Sequence, residues 1–569
     1  MGASFFLSLT ISSFLSIYIS KNHVDEWVFN MKKLKVISVS IFLYLFSCSL
    51  FSTLIEHGMA EAIKTPALGG IYRRPLEFAP GTFDPSFSTD IYGVSIIQQI
   101  FDGLVQFDKN LNIIPGIAKS WTISPDGLTY TFFLREGVRF HNQREVTSEH
   151  VIYSFTRIMN PSHQSPAAPF FSNVLGSKEF QGGTANHVAG FRSRGKYVFE
   201  IKLSAPYSPL ISALGINHFK VVPREEIEKP GSLFAKAPVG TGPFRFTSRK
   251  EGEEIVLEAN PDYFEGRPLL DKIIFRIFQG APREKILREF KEGGLEEAYV
   301  PPEEIGKLLK EKRYPFFQKP SLSLRFYGFN VLSKPLDNKK LRKAISFAID
   351  KKRIISAIHK NQFNLSKSIL PPGMPGYDPV KDPYPFDQTQ ALKLLAEAGF
   401  PKGRGIPPLE IWSSSSSEAA QRELKEIKSH LNTIGIQTTI RFETNWPNFE
   451  SMLRNRKAPI FIYAWYADIP DPDNFLGILF HSRSRYNYMA YQNLEVDRLL
   501  DQARAERDYL TRMEMYRRIE EMVLDDAPIV PMVNHLFQAV YQPYVRGIEL
   551  NVLGGAYVPM KRIWFQKGE

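Results

Sequence analysis

Cysteine is almost absent from this sequence, because the 569 residues include only Cys48. A single cysteine cannot form an internal disulfide, and it cannot supply the several thiolates of a cysteine-based zinc or iron–sulfur site. A core held together by disulfides or by cysteine-bound metal is therefore excluded. Hydrophobic residues make up 43% of the chain, which is enough for more than one core, so we expect several globular domains.

Recognisable catalytic motifs are also missing. The sequence has no Gly-x-Ser-x-Gly elbow, no Walker-type phosphate loop and no His-Glu-x-x-His pair. Gly240-Thr241-Gly242 lacks the third glycine of a dinucleotide-binding motif, so it predicts a turn. His141 and His150 lie on different predicted elements and do not suggest a metal site. We therefore predict a protein that is not an enzyme and that has no metal or other cofactor.

Long runs of charge of one sign are absent as well. The net charge of +11 comes from 71 basic and 60 acidic residues that are dispersed along the chain. Dispersed excess charge is more typical of a soluble surface than of a nucleic-acid groove. No internal repeat is evident, which argues against a solenoid. We expect a monomer without a nucleic-acid partner.

The first 60 residues have the pattern of an export region. The basic start Met31-Lys32-Lys33-Leu34-Lys35 precedes residues 36–55, which carry no charge. This order is typical of a secretory signal peptide, predicted here over residues 31–47. Ser47-Cys48 at the end of the apolar run resembles a bacterial lipoprotein cleavage site, so we predict Cys48 as the lipidation site and a possible membrane anchor.

Two alternatives for this region stay open. Cleavage could follow the small-residue pattern Gly58-Met59-Ala60, or the apolar run could remain as an uncleaved anchor, since about 20 apolar residues can span a bilayer. Translation could start at Met1 or at Met31. Each reading places residues 61–569 outside the cytoplasm, in the periplasm or on the outer face of the cytoplasmic membrane.

From residue 69 onward, helical and strand patterns alternate irregularly. Apolar spacing predicts helices over residues 151–159, 341–358, 390–398 and 513–524, and β-rich runs predict strands over 128–134, 435–442 and 460–465. The mixture favours an α/β or α+β protein over a bundle or a sandwich.

Several segments, in order along the chain, carry a family resemblance. They are Phe101–Val105, Ile114–Trp121, Asp126–Phe140, Val239–Phe244, Asn260–Phe264, Leu341–Ile345, Leu394–Phe400 and Asp525–Pro531. Together they resemble the oligopeptide- and dipeptide-binding proteins of bacterial ABC importers, solute-binding protein family 5. The resemblance covers residues 69–569, which is far more specific than any single motif.

The resemblance implies an α/β, two-lobed periplasmic-binding-protein-like fold, with an extra inserted domain and the ligand enclosed between the lobes. After the export region 1–60, lobe I would comprise 61–92, 222–325 and 531–569. The inserted domain would comprise 93–221, and lobe II 326–530. Closure of the lobes on the ligand would be a hinge motion.

The resemblance also implies ligand-binding residues. Asp468, in Trp465-Tyr466-Ala467-Asp468, matches the aspartate that pairs with the α-ammonium group of a bound peptide. Ala464 and Tyr466 could offer backbone groups to the peptide main chain. An alternative for Asp468 is a cap of the turn or helix that begins near Asp471-Pro472.

Further positions follow from the same resemblance. Trp446 resembles a pocket-lining aromatic, with a core aromatic as the alternative, and Asp90 and Ile91 fall where the first lobe offers backbone groups. Ile462 departs from the pattern, because oligopeptide-binding members carry there an arginine that meets the peptide carboxylate. The carboxylate must then be met elsewhere or by water, or the ligand has another length.

The predicted function is an extracytoplasmic solute-binding protein that captures short peptides and delivers them to a membrane ABC permease. One alternative is the same fold with a non-peptide ligand, such as a nickel chelate, haem or a sugar. Others are an exported hydrolase and a chaperone-like binder of unfolded segments.

Overall fold

The computed structural model describes residues 66–229, 231–378 and 382–566. The predicted signal peptide and Cys48 lie outside these described residues. In the described ranges, no helix is both long enough and apolar enough to cross a membrane.

The strands of the described chain alternate with helices, as the sequence predicts for a mixed α/β protein. In chain order the strands are β1 Ile71–Leu76, β2 Val105–Phe107, β3 Ile113–Pro115, β4 Ala118–Ile123, β5 Thr129–Leu134, β6 Phe191–Ser193, β7 Val198–Lys202, β8 Phe244–Lys250, β9 Glu254–Ala259, β10 Lys272–Ile277, β11 Glu297–Tyr299, β12 Phe316–Pro320, β13 Ser323–Phe329, β14 Phe363–Leu365, β15 Leu409–Ser413, β16 Thr438–Phe442, β17 Ile460–Tyr466, β18 Ile529–Tyr541, β19 Val545–Arg546 and β20 Trp564–Phe565.

The α-helices range from single turns to the long helix that precedes β18. In chain order they are α1 Ile91–Ile100, α2 Ser148–Met159, α3 Ser177–Gln181, α4 Leu210–Ala213, α5 Arg224–Ile227, α6 Arg283–Lys291, α7 Ile305–Glu311, α8 Lys339–Ala348, α9 Lys351–Ala357, α10 Gln388–Glu397, α11 Glu418–Thr433, α12 Trp446–Arg454, α13 Leu476–Phe480, α14 Leu494–Ala505 and α15 Tyr509–Asp526.

The single helix predicted over 341–358 is wrong, because two helices occupy this segment. Ile349 and Asp350 leave the helical conformation, and the Asp350 side chain accepts a hydrogen bond from the Arg353 backbone N–H to cap α9. The apolar spacing runs through both helices, so it shows which side is buried but not the break. A capping aspartate inside an apolar pattern is the signal for that break.

Two four-stranded sheets lie in the first half of the described chain, besides the two-stranded sheet of β2 and β3. β1, β10, β9 and β8 form one sheet in that order, with β1 parallel to β10. β4, β5, β7 and β6 form another, whose pairings are all antiparallel. The buried Asp84–Arg157 ion pair joins the segment before α1 to α2, which packs on the second of these sheets.

The larger sheet contains the strands that matter most for the site. Its order is β11-β18-β13-β17-β15-β16, with β12 and β14 also paired to β18. β15 runs parallel to β16 and to β17, and helices α11 and α12 make the crossovers between these strands. Parallel strands require such crossovers, so this part of the chain is a βαβ-type unit.

The long strand β18 connects two parts of the molecule. Its first half, Ile529–Val533, pairs with β13, and its second half, Leu536–Tyr541, pairs with β11 and β12. Only Ser321 and Leu322 separate β12 from β13. Two neighbouring chain passages thus run from one lobe into the other, which is the arrangement that a hinge requires.

The buried hydrophobic clusters follow the same division. One cluster draws its members from 104–221, with Ile469 from the second lobe added. A second combines β1, α1 and β8–β10 with residues 539–563, and two others fill the region from 322 to 533, one of them with Leu111 added. The fold is the two-lobed α/β architecture, and the residue boundaries of the domains stay a prediction.

Candidate ligand-binding site

Strand β17 forms one wall of a chamber of about 540 Å³. In its antiparallel register with β13, Ala464 lies opposite Arg325 and Tyr466 opposite Ser323. Side chains alternate between the faces of a strand, so Ile462, Ala464 and Tyr466 share one face, and all three line the chamber. The structure therefore brings together Ala464 and Tyr466, two of the predicted site residues.

Trp446 lies on the same chamber. It is the first residue of α12, its indole stacks on the Tyr463 ring with centroids 5.9 Å apart, and 48% of the residue is exposed. A tryptophan that served only as core would be buried, whereas this one presents a face to open space. Its position favours the pocket-lining role over the core role.

Asp468 follows two residues after the end of β17, on an exposed bend. Its backbone N–H donates to Asn474 Oδ1 at 2.9 Å, and Asn474 Nδ2 approaches the Asp468 carboxylate at 3.5 Å. No lysine, arginine or histidine of the described chain forms an ion pair with it. The carboxylate is thus positioned by an amide and left without a cation.

The alternative role of Asp468 as a cap is not the one in the structure. The short 3-10 helix Pro472–Asn474 is capped by Asp471, whose side chain accepts from the Asp473 backbone N–H. Asp471 is in turn held by Arg512, which donates to both carboxylate oxygens at 2.7 and 2.8 Å. Asp471 and its ion pair with Arg512 hold this segment in place, so the Asp468 carboxylate is not used as its cap.

The electrostatic setting of Asp468 favours a cationic ligand. Its carboxylate is open to solvent, yet protein surrounds it on a wider scale, and this desolvation raises its pKa while the Asn474 contact lowers it in part. A raised pKa means that the ionised form lacks stabilisation in the empty site. An ammonium group placed there would supply that stabilisation.

Trp465 belongs to the other face of β17. Its indole N–H donates to Asn474 Oδ1 at 3.3 Å, and its ring lies 5.2 Å from that of Tyr486, against the lobe II core. Trp446, Ala464 and Tyr466 are the predicted residues that line the chamber, whereas Trp465, Asp468, Asp90 and Ile91 do not. Trp465 holds the asparagine that positions Asp468.

Strand β18 carries the aromatic side chains of His535 and Phe537, which contact residues of other strands. The His535 ring lies 5.2 Å from that of Tyr466, whose hydroxyl approaches it at 3.2 Å, and Phe537 packs edge-on against Tyr299 of lobe I. Burial, with the charges of Arg325 and His359 nearby, lowers the pKa of His535 to about 4. His535 is thus neutral at physiological pH and adds no charge near Tyr466.

The predicted residues Asp90 and Ile91 lie at the start of α1, outside the lining of the chamber. Asp90 caps this helix by accepting from the Gly93 backbone N–H at 2.7 Å, and Ile91 is 61% exposed. Nearby, Asn217 donates to the Ser88 carbonyl, and the Tyr557 hydroxyl donates to Asn217. The side chain of Asp90 is therefore engaged in capping, whereas the side chain of Ile91 next to it is exposed.

Tyr557 lies close enough to Asp468 for the charge of that carboxylate to affect it. Burial raises the pKa of Tyr557 well above its ordinary value, and the charge of Asp468 raises it further. Ile469, next to Asp468, is buried in the hydrophobic cluster of residues 104–221. Asp468 therefore lies beside the hydrophobic cluster of residues 104–221.

Sequence reasoning missed several residues that the structure places around this site. They are Arg325, His359, Glu423, Asn474, His535 and Tyr557. Arg325 lies on the neighbouring strand β13, opposite Ala464, and is a cation that lines the chamber. In the described ranges no group of three or more metal-binding side chains is assembled.

The molecule has two lobes, a chamber and, among the described residues, a carboxylate without a cation. These features are typical of a ligand-binding protein of the hinged class. The family model for bacterial extracellular solute-binding proteins, family 5, middle region, matches residues 112–487. The chain belongs to this family.

Individual relatives agree with the assignment. The chain is 28% identical over 498 residues to Heme-binding protein A of Haemophilus influenzae, which covers 84% of this chain and 88% of that protein. It is 27% identical over 501 residues to the Dipeptide-binding protein of Escherichia coli, covering 84% and 92%. The solved structure of HbpA2 from Haemophilus parasuis superposes with a TM-score of 0.79 at 24% identity, covers 88% of this chain and is itself covered completely.

Proposed function

We propose that this protein captures short peptides between its lobes and delivers them to a membrane ABC permease, without catalysis. The observation that carries the proposal is the Asp468 carboxylate, which is positioned by Asn474 and has no cationic partner in the described chain. Every unblocked peptide has an α-ammonium group, so one carboxylate can fix the register of any sequence. The name of the Escherichia coli relative supports a peptide ligand.

The main chain of the peptide would be held by the end of β17. Backbone groups near Ala464 and Tyr466 lie where β17 borders the chamber. Main-chain hydrogen bonds read no side chains, and roomy hydrated pockets accept many of them. The chamber, with Trp446 on one wall, would receive peptide side chains of different sizes.

The proposal includes an extracytoplasmic location. The predicted signal peptide over 31–47 and the predicted acylation of Cys48 would tether residues 61–569 to the outer face of the cytoplasmic membrane as a monomer. These points rest on the sequence pattern and on the family to which the chain belongs.

The test is calorimetric titration with peptide pairs that differ only in a free or acetylated N-terminus, after removal of co-purified ligand. Losing one partner of an enclosed ion pair costs about 2–5 kcal/mol, so we expect acetylation to weaken binding by at least about 30-fold. Asp468→Asn should bring free peptides down to the affinity of acetylated ones.

Glu514→Gln is the matched control, because Glu514 is an exposed carboxylate whose ion pair among the described residues is with Arg517 on its own helix. It should leave the preference for a free amine intact. Haem, nickel chelates and sugars are titrated in parallel. Binding of one of these, with no response to any peptide, would refute the peptide proposal and leave the solute-binding family assignment in place.

A further inference from the structure

The turn between α14 and α15 contacts two segments that are far away in sequence. The Ser208 backbone N–H donates to the Arg504 carbonyl at 2.8 Å, and the Ser208 hydroxyl donates to the Glu506 carbonyl at 2.5 Å. The Arg507 guanidinium donates to the Pro125 carbonyl at 2.6 Å. Three hydrogen bonds thus join the end of α14 and the turn after it to distant parts of the chain.

These bonds satisfy carbonyl groups that α14 cannot satisfy by itself. The last four carbonyls of an α-helix have no partner within the helix. Glu506 is the C-cap of α14, and the carbonyls of Arg504 and Glu506 both accept from Ser208. Ser208 therefore completes the C-terminal end of α14 from another part of the molecule.

The two sides of this contact belong to different hydrophobic clusters. Leu210, two residues after Ser208, is a member of the cluster of residues 104–221, whereas Ala503 of α14 is a member of a cluster within residues 322–533. The chain connects these clusters only through the segment that contains β8–β12. The contact can therefore separate when the two passages described above, β12–β13 and β18, bend.

Open space lies beside the contact. A groove of about 770 Å³ is lined by Ile123 from one side and by Met513 from the other. Leu111 and Ile469 add apolar contacts, since each packs in the cluster of the opposite side. Hydrogen bonds beside an open groove are typical of surfaces within one chain that associate and separate, rather than of a continuous core.

We propose that Ser208 and Arg507 form a latch that stabilises the closed form of the molecule. Neither residue lines the chamber. The latch forms when the two sides approach and breaks when they part, so it changes the affinity for every peptide by the same factor. This inference rests on the proposed function only for the peptide used to drive closure.

The test uses Ser208→Ala combined with Arg507→Ala, which removes the two side-chain hydrogen bonds and keeps the backbone bond. In a protein that is mostly open when empty, affinity is proportional to the fraction of the closed form. We therefore expect every peptide to bind about fivefold to a hundredfold more weakly. Calorimetric titration measures this loss, and the preference for a free over an acetylated N-terminus should keep its wild-type value.

A measurement without ligand completes the test. Small-angle X-ray scattering gives the radius of gyration of the empty protein, which increases as the open form gains population, so we expect a larger radius in the double variant. The matched control is Ser204→Ala with Arg517→Ala. Ser204 donates to the Asn173 carbonyl and Arg517 pairs with Glu514, so both contacts stay on one side of the groove. The radius and the affinities of this control should equal those of the wild type.

The outcomes separate the latch from the proposed function. An equal loss of affinity for all peptides, or a larger radius of the empty protein, supports the latch. Wild-type radius and wild-type affinities in the double variant would overturn it and leave the proposed function in place. A loss confined to peptides with a free amine would overturn it as well, because the two residues would then act on the ligand. If no peptide binds but the empty double variant has the larger radius, the proposed function fails and the latch stands.

Discussion

The buried ion pair between Asp471 and Arg512 stabilises the segment that follows β17. Asp471 is 2% exposed and receives two hydrogen bonds from Arg512, which is 7% exposed and also donates to the Ala503 carbonyl. Arg512→Met would leave the Asp471 carboxylate buried without its cation. Asp473, which lies nearby and already has a pKa raised by burial, would add like-charge repulsion.

The expected cost of this change is about 3–5 kcal/mol, the usual cost of breaking a buried ion pair by removing one partner. With an unfolding entropy of about 2.1 cal/mol/K per residue, the roughly 500 residues of the two lobes give about 1 kcal/mol/K. The melting temperature should therefore fall by about 3–5 °C, or by more if the second lobe unfolds separately.

The assay is thermal unfolding followed by circular dichroism, with two comparison variants. Adding Asp471→Asn to Arg512→Met removes the unpaired charge and keeps a good capping residue, so part of the lost stability should return. Arg498→Gln breaks the exposed Arg498–Glu495 pair and should shift the melting temperature by less than about 1 °C. An Arg512→Met protein that melts within 1 °C of the wild type would refute the reasoning.

Two further predictions concern pH. The pKa of Asp468 is raised in the empty site, and an ammonium group would lower it. Peptide affinity should therefore weaken as pH falls through the acid range. Calorimetry at several pH values checks this, and the dependence should vanish in Asp468→Asn. His141 accepts from the Gly240 N–H and donates to the Gly242 carbonyl, and burial lowers its pKa to about 4. Stability should therefore be lost as pH falls from 6.5 to 4, and urea unfolding should show a shallower loss in His141→Asn; an equal loss in both proteins would contradict this.

The fold was predictable because its signals are local or come from many segments in order. Strand 460–465 and the strand over 128–134 follow from β-rich runs and match β17 and β5 closely. The helix over 341–358 failed because the apolar spacing continued across Asp350, where a cap ends one helix and begins the next. Periodicity reports the buried face, and capping decides the boundaries.

Only some residues of the site could be predicted from the sequence. Asp468 lies in a motif that can be read along the chain, but Arg325 precedes its partner Ala464 by 139 positions, and only the β13–β17 register brings them together. In sequence, Arg325 lies in an ordinary alternating strand and carries no motif. Likewise, nothing in Trp465-Tyr466 alone shows that the tryptophan faces the core while the tyrosine faces the chamber; the direction depends on which face of the sheet is buried.

On the proposed function, the unpaired carboxylate explains how one site can bind many peptides. Among the described residues Asp468 has no cation, so its ionised form lacks part of the stabilisation that a partner supplies. A ligand shifts a conformational equilibrium only by as much as its affinity differs between the two states. A peptide with a free N-terminus would supply the missing cation whatever its sequence, whereas its side chains would contribute less to that difference. Selection for the N-terminus rather than the sequence then follows from the carboxylate that the described chain leaves without a cation.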